Sequence, residues 1–440
     1  MKLPPYPKYK PSGVEWLGDV PEHWTQIALR RTSTRYAGGT PDRSNDSYWD
    51  EGTIPWINSG AVNQGLITEP SAFITEEAYR NSSARWVAKG ALVMALAGQG
   101  KTKGMVAQIG IATTCNQSMA AICPTPPTEA RYLYWLLVSQ YEHIRNMAGG
   151  EARDGLNLEI LGSIPCLKVL PAEQQAIAFF LDQETSRLDT LVAKKQKLIE
   201  RLKEKRTALI SRTVTRGLNP NAKLKPSGIA WLGDIPTNWD AKPLKFIALV
   251  KTGFAFSSDD FTDEGVPVLR IGDINRNGRI DFSDAKFLPG DFLRSNRDVI
   301  VRSGDIAMAM TGATIGKVGR YRYAKPALLN QRVCLFRPMR GAEIDFLWYL
   351  LNTDFYIEYI LLTAFGGAQP NISDTQLLAC SVPVPSLPEQ TSIANYLNDE
   401  ISKLDALVSK VETAIERLQE YRTALITAAV TGKIDARKAA

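Results

Sequence analysis

Histidine is almost missing from this chain. His23 and His143 are the only two in 440 residues, so histidine-based acid–base catalysis and metal binding have little material to work with. Cysteine is scarce too. Cys115, Cys123, Cys166, Cys334 and Cys380 include no pair at CxxC spacing, which argues against a zinc site or a disulfide framework and for buried thiols in a reducing compartment. No uncharged apolar run reaches membrane-spanning length, and the opening MKLPPYPKYK lacks the apolar stretch of a secretory leader. The expectation is a cytoplasmic protein with no membrane association. Charge is mixed, with 52 Lys and Arg against 46 Asp and Glu for a formal net of +6; this permits a polyanionic partner without requiring one.

What the chain has in abundance is repetition. KYKPSGVEWLGDVPEHW at Lys8–Trp24 returns as KLKPSGIAWLGDIPTNW at Lys223–Trp239, identical at 11 of 17 positions. Glu173–Thr215 aligns without a gap to Glu389–Thr431, with 24 of 43 residues identical. A period this long lies outside the 20–50 residues of a solenoid, so each copy is expected to be a domain with its own connector. The spacing divides the chain into a first globular part over 1–172, a long helix over 173–217, a second globular part over 218–388, a second long helix over 389–432 and a tail over 433–440.

Both connectors carry a heptad pattern. Ile177, Leu181, Leu188, Leu191, Leu198, Leu202 and Leu209 fall on one seam of the first; Ile393, Leu397, Leu404, Leu407, Val411, Ala414, Leu418 and Leu425 fall on that of the second. Helices of about 60 Å cannot bury such stripes alone, and a duplicated chain with a whole domain between them predicts an antiparallel coiled coil with pseudo-twofold symmetry. The globular parts resemble each other far less than these connectors do. In each, short β-like runs broken by Gly and Asn lead to a glycine-rich loop, an Asn-Gln pair (Asn116, Gln117; Asn330, Gln331) and an aromatic-rich helical stretch. The expected fold class is α+β: two mixed α/β domains joined by the two long helices.

Few strings suggest catalysis. ALAGQGKT at Ala95–Thr102 fits a permissive phosphate-loop pattern, and Gly100, Lys101 and Thr102 would carry nucleotide hydrolysis. A phosphate cradle, however, needs a helix after the loop, and the following KGMVAQIG is strand-like. LPPY at Leu3–Tyr6 resembles the Pro-Pro-Tyr tetrad of amino-methyltransferases, but leucine cannot orient a target nitrogen as the polar first residue of that tetrad does. The loops instead carry the side chains of base recognition: Asn58, Ser59, Asn63, Gln64, Gln99, Lys101, Thr102 and Lys103 in the first half, and Arg270, Asp273, Asn275, Arg276, Asn277, Arg279, Thr311, Thr314 and Lys317 in the second. Arg and Lys reach guanine O6 and N7, Asn and Gln bridge adenine N6 and N7, and glycine lets the backbone approach phosphate. Asn116, Gln117, Asn330 and Gln331 recur in both halves and are expected to support shared structure.

The SGVEWLGDVPEHW and SGIAWLGDIPTNW segments, the GATIGK loop with its downstream Asn-Gln, and LPEQTSIANYL entering the second helix together resemble the DNA-specificity subunit of type I restriction-modification enzymes, over the whole chain. The first half departs at GQGKTKG, where the second has GATIGK, and at GLNL (Gly155–Leu158), where the second has QPNI (Gln369–Ile372). The resemblance implies two target-recognition domains, each reading one part of a split double-stranded DNA site, with the helices as a ruler. It implies two methyltransferase (modification) subunits and two restriction subunits, the motor and nuclease, as partners. S-adenosylmethionine, ATP and magnesium are then expected on those partners, with no cofactor, metal or catalysis on this chain. Two rivals are a nucleotide-hydrolysing enzyme using the 95–102 loop and a helical scaffold that never touches DNA.

Overall fold

The computed structural model describes residues 3–98, 100–126, 128–147, 155–275, 278–367 and 369–439. The chain forms two compact units: Met1–Lys195 with Thr413–Ala440, and Gln196–Glu412.

The first unit holds a five-stranded sheet in the order Ser33–Ala37, Met119–Pro124, Leu92–Ala95, Val106–Ile109, Leu66–Ile67, and a four-stranded sheet in the order Ala72–Ile74, Ile54–Ile57, Thr113–Cys115, Trp86–Val87. The second unit repeats the plan with Ala248–Thr252, Val333–Pro338, Ile306–Ala309 and Val318–Arg320 in one sheet and Lys286–Leu288, Val266–Leu269, Ala327–Leu329 and Ile300–Val301 in the other. The halves that diverged in sequence therefore share a topology. The central strands, LVMA and IAMA, are apolar at every position because both faces are covered. Leu92 and Met94 join the core beneath the helices while Val93 and Ala95 face the second sheet, and Ile306 and Met308 divide from Ala307 and Ala309 in the same way.

The long helices span Pro171–Arg216 and Leu387–Val430. Proline in the first turn costs no hydrogen bond, and Gly217 (φ 74°) and Gly432 (φ 71°) follow the ends in the left-handed region that glycine tolerates. Gly432 has a second reason to be glycine, since a Cβ there would lie 2.4 Å from Pro21 Cγ. Within each unit the helix segments run antiparallel. In the first, Glu173 meets Arg437 beyond the second helix at 3.3 Å, and Asp189 meets Arg422 at 2.8 Å. In the second, Arg206 meets Asp405 at 3.5 Å while Gly217 lies beside Glu389.

The heptad expectation holds at Ile177, Leu181, Leu188, Leu202, Ile393, Leu397, Leu404, Val411 and Leu425, which are buried, but not throughout. Leu191 and Leu198 are 41% exposed and Leu407 is 43% exposed. A straight helix drifts about 20° per heptad against a strict seven-residue repeat, so some side chains of the pattern rotate off the seam toward solvent.

The repeated flanks pack alike. Leu17, Val20 and Trp24 bury against Leu425, Ile426 and Ala429, as Leu232, Ile235 and Trp239 bury against Ile210 and Val214. Among the described residues no helix is long and apolar enough to cross a membrane.

Candidate nucleic-acid interface

In the first unit, strand Ile54–Ile57 runs into a short 3-10 helix, Ser59–Gln64. Asn58 caps it by accepting from the Gly60 amide at 2.9 Å, and Asn63 Nδ2 donates to the Gly60 carbonyl at 2.8 Å. Both amides thus serve the turn, Ser59 is half-buried and Gln64 points out. Asn63, Gln64 and Lys101 converge on one groove of about 930 Å³, walled by Tyr134, Trp135 and the first long helix. Tyr141 fixes the Lys101 segment by donating its hydroxyl to the Lys101 carbonyl. Thr102 is half-buried, Lys103 is buried, and Gln99 lies outside the described residues. The segment after this loop is strand Val106–Ile109, paired antiparallel with Leu92–Ala95, so the helix that a phosphate loop needs does not follow.

In the second unit, Asp273 accepts from the Arg270 amide at 2.7 Å, and the Arg270 guanidinium donates to the Asp284 carbonyl at 2.6 Å. Burial pushes the Asp273 carboxyl up, against the opposing pull of Arg270. This pair lines a pocket of about 470 Å³ with Asn330, Gln331 and Arg332. Asn275 is exposed and its backbone amide donates to the Arg279 carbonyl at 2.8 Å. Arg276 and Asn277 lie outside the described residues, while Arg279 opens onto a separate cleft.

Thr311, Thr314 and Lys317 form a third group. Their loop is stapled to QPNI, since Gly312 donates to Pro370 at 2.8 Å and Ile372 to Met310 at 3.1 Å. The first half makes the matching contact, from Leu156 to Leu96 at 2.8 Å, so Leu156 is the structural counterpart of Ile372 and GLNL lies opposite residues 371–374, two positions beyond the QPNI with which the sequence aligns it. Among the described residues the buried Thr311 hydroxyl has no hydrogen-bond partner.

Asn116 and Asn330 occupy matching strand ends, where their backbone amides donate to the Ile57 and Leu269 carbonyls, each at 3.0 Å.

Sequence inspection missed Arg131, Arg206, Arg320, Arg322 and Arg422. Arg206 and Arg422 were detectable, because both they and their partners Asp189 and Asp405 are repeat equivalents. Thiol chemistry has no support: burial pushes Cys115, Cys166 and Cys380 up to about 12. Among the described residues no His, Cys, Asp and Glu cluster is arranged to hold a metal.

The family described as Type I restriction modification DNA specificity domain matches residues 24–201 and again 236–417. The type I restriction enzyme MjaVIII specificity subunit of Methanocaldococcus jannaschii is 28% identical over 309 residues, covering 69% of this chain and 70% of that protein. The EcoBI specificity subunit of Escherichia coli is 26% identical over 215 residues, 48% of this chain and 43% of that protein. In fold, the chain is similar to a chain from a structure of complex assembly and conformational transition in the type I R-M system, with TM-score 0.73, 15% identity, and 93% and 98% of the two chains covered. It is also similar to the HsdS subunit from Thermoanaerobacter tengcongensis, with TM-score 0.56, 16% identity, and 94% and 98% covered. One family match to each half, on halves that repeat a single topology, means that this chain belongs to the type I restriction-modification DNA specificity family.

Proposed function

We propose that the two globular domains each read one part of a bipartite double-stranded DNA site, and that the chain directs adenine methylation and ATP-dependent cleavage by partner subunits while catalysing neither. The observation that carries this is the contrast between like and unlike parts. The two domains share strand order, yet the loops they expose differ: Asn63, Gln64 and Lys101 in one, Asn275 and Arg279 in the other. Divergent loops on a common frame suit two different half-sites.

Repeated helical surface suits repeated partners. Leu191 and Leu407 are repeat equivalents and both remain exposed, which supports docking of two identical modification subunits on the long helices. Those subunits would bring S-adenosylmethionine; two restriction subunits would bring ATP and magnesium. The helices then act as the ruler between half-sites. Exchanging residues 240–385 for the corresponding domain of a relative tests the reading: one half of the methylated site changes and the other stays, whereas loss or change of both halves together contradicts it.

A further inference from the structure

Each unit carries a row of three polar side chains that runs from a strand of its sheet, through a short helix, to its long helix. In the first unit the row is Gln108, Arg131 and Asp182. The Arg131 guanidinium donates to Gln108 Oε1 at 3.3 Å through Nη1 and to Asp182 Oδ1 at 2.7 Å through Nε. In the second unit the row is Arg320, Asp345 and Asn398. The Asp345 carboxylate accepts from Arg320 Nη1 at one oxygen and from Asn398 Nδ2, at 3.0 Å, at the other.

The rows are equivalent position by position. Gln108 and Arg320 stand opposite Leu92 and Ile306, the first residues of the two central strands. Arg131 and Asp345 are each the second residue of the aromatic-rich helix, Ala130–Ser139 in one unit and Ile344–Leu351 in the other. Asp182 and Asn398 are repeat equivalents on the long helices. Four residues beyond each central member an aromatic side chain reaches the same long-helix residue: Trp135 Nε1 donates to Asp182 at 2.8 Å, and the Tyr349 hydroxyl to Asn398 Oδ1 at 2.8 Å.

The two rows share no residue, yet one guanidinium balances one carboxylate in each. Their polarity is inverted, since the central side chain donates twice in the first unit and accepts twice in the second. A change at one position has therefore been compensated at the other two. Mixing the rows would set like charges or two donors against each other, and Arg320 and Asp345, with side chains only 20% and 24% exposed, are shielded enough for that to matter more than at an open surface. The neighbouring contact shows what an uncompensated position looks like: Gln174 and Gln390 kept their identity, accepting from the Glu129 and Glu343 amides at 2.8 and 2.9 Å.

We propose that the two rows are keyed joints, in which Arg131 with Asp182 and Asp345 with Asn398 are positioning residues that fix the angle of each recognition domain on its own long helix, and thereby the gap at which two half-sites are accepted. The inference rests on the two-part recognition reading and adds to it the residues that set its geometry.

The test is methylation by the full chain assembled with its modification subunits, on duplexes carrying the mapped site with its gap kept, shortened or lengthened by one base pair. Asp345→Arg sets a second guanidinium against Arg320, and Asn398→Leu removes both polar groups from an exposed position where the fold tolerates the change. Each should lower the preference for the native gap about ten-fold, a change of ~1.4 kcal/mol, while the bases required in both half-sites stay the same. The triple change Arg320→Gln, Asp345→Arg and Asn398→Asp installs the chemistry of the first unit and should restore the preference. A gap preference untouched by both Asp345→Arg and Asn398→Leu, altered bases in the second half-site, or a triple variant no better than Asp345→Arg overturns the joints and leaves two-part recognition standing. A wild-type assembly that methylates no two-part site overturns both.

Discussion

Asp435 and Arg437 illustrate what single residues contribute. Asp435 is almost fully buried and accepts from the Arg437 guanidinium at 2.7 and 2.9 Å, while its own amide donates to the Pro4 carbonyl at 2.9 Å. Arg437 holds the Asp435 carboxyl below the usual carboxylate range. A depressed folded value means that the stabilisation is fully present above an unfolded pKa of about 3.9 and fades as pH falls through the lower folded value. Asp435→Asn should cost about 1–3 kcal/mol at neutral pH and remove this part of the acid dependence, as urea unfolding at pH 7 and below pH 4 would report. Individual binding residues were less legible in the sequence than this pair's surroundings. Asn58, Arg270 and Asp273 have the chemistry of base readers, yet their polar groups are engaged with the backbone or one another. Composition gives a loop its hydrogen-bonding groups, but only the fold decides which of them the backbone consumes.

At the scale of elements, the long helices were readable because helical periodicity is local. Their register was not, since it depends on which apolar rows meet. The ion pairs that mark that register contribute little to it: Asp189 and Asp405 have side chains 56% and 62% exposed, so Arg422→Ala or Arg206→Ala should change stability by less than about 1 kcal/mol. Leu181→Ala or Leu397→Ala, at fully buried positions, should each cost about 2–5 kcal/mol in the same urea experiment. Leu191→Asp with Leu407→Asp tests the exposed part of the pattern. Stability of the free chain should stay within about 0.5 kcal/mol of wild type for each change, while assembly with the modification subunit, followed by size-exclusion chromatography, should weaken. The paired strands of the two domains escaped a sequence comparison because any apolar residue of suitable size fills a strand covered on both faces. LVMA and IAMA are interchangeable to the core, so topology persisted where identity did not.

For the whole molecule, duplication was the most legible property, and it accounts for the division between constant and variable parts. Flanks and helices recur because they meet the same packing twice, and on the proposed reading the same partner twice; the loops are released from that constraint and diverge. The proposed ruler role of the helices has a quantitative consequence. Seven residues inserted after Ala193, with a matching heptad in the second helix, lengthen each rod by about 10 Å, close to the rise of three base pairs at about 3.4 Å each, so the gap between half-sites should widen by about that much. Mapping methylated adenines across the genome of cells carrying the intact system tests the central claim most directly. The account predicts one motif of two unlike half-sites separated by a constant run of unspecified bases; a continuous motif, or two identical halves, would contradict it.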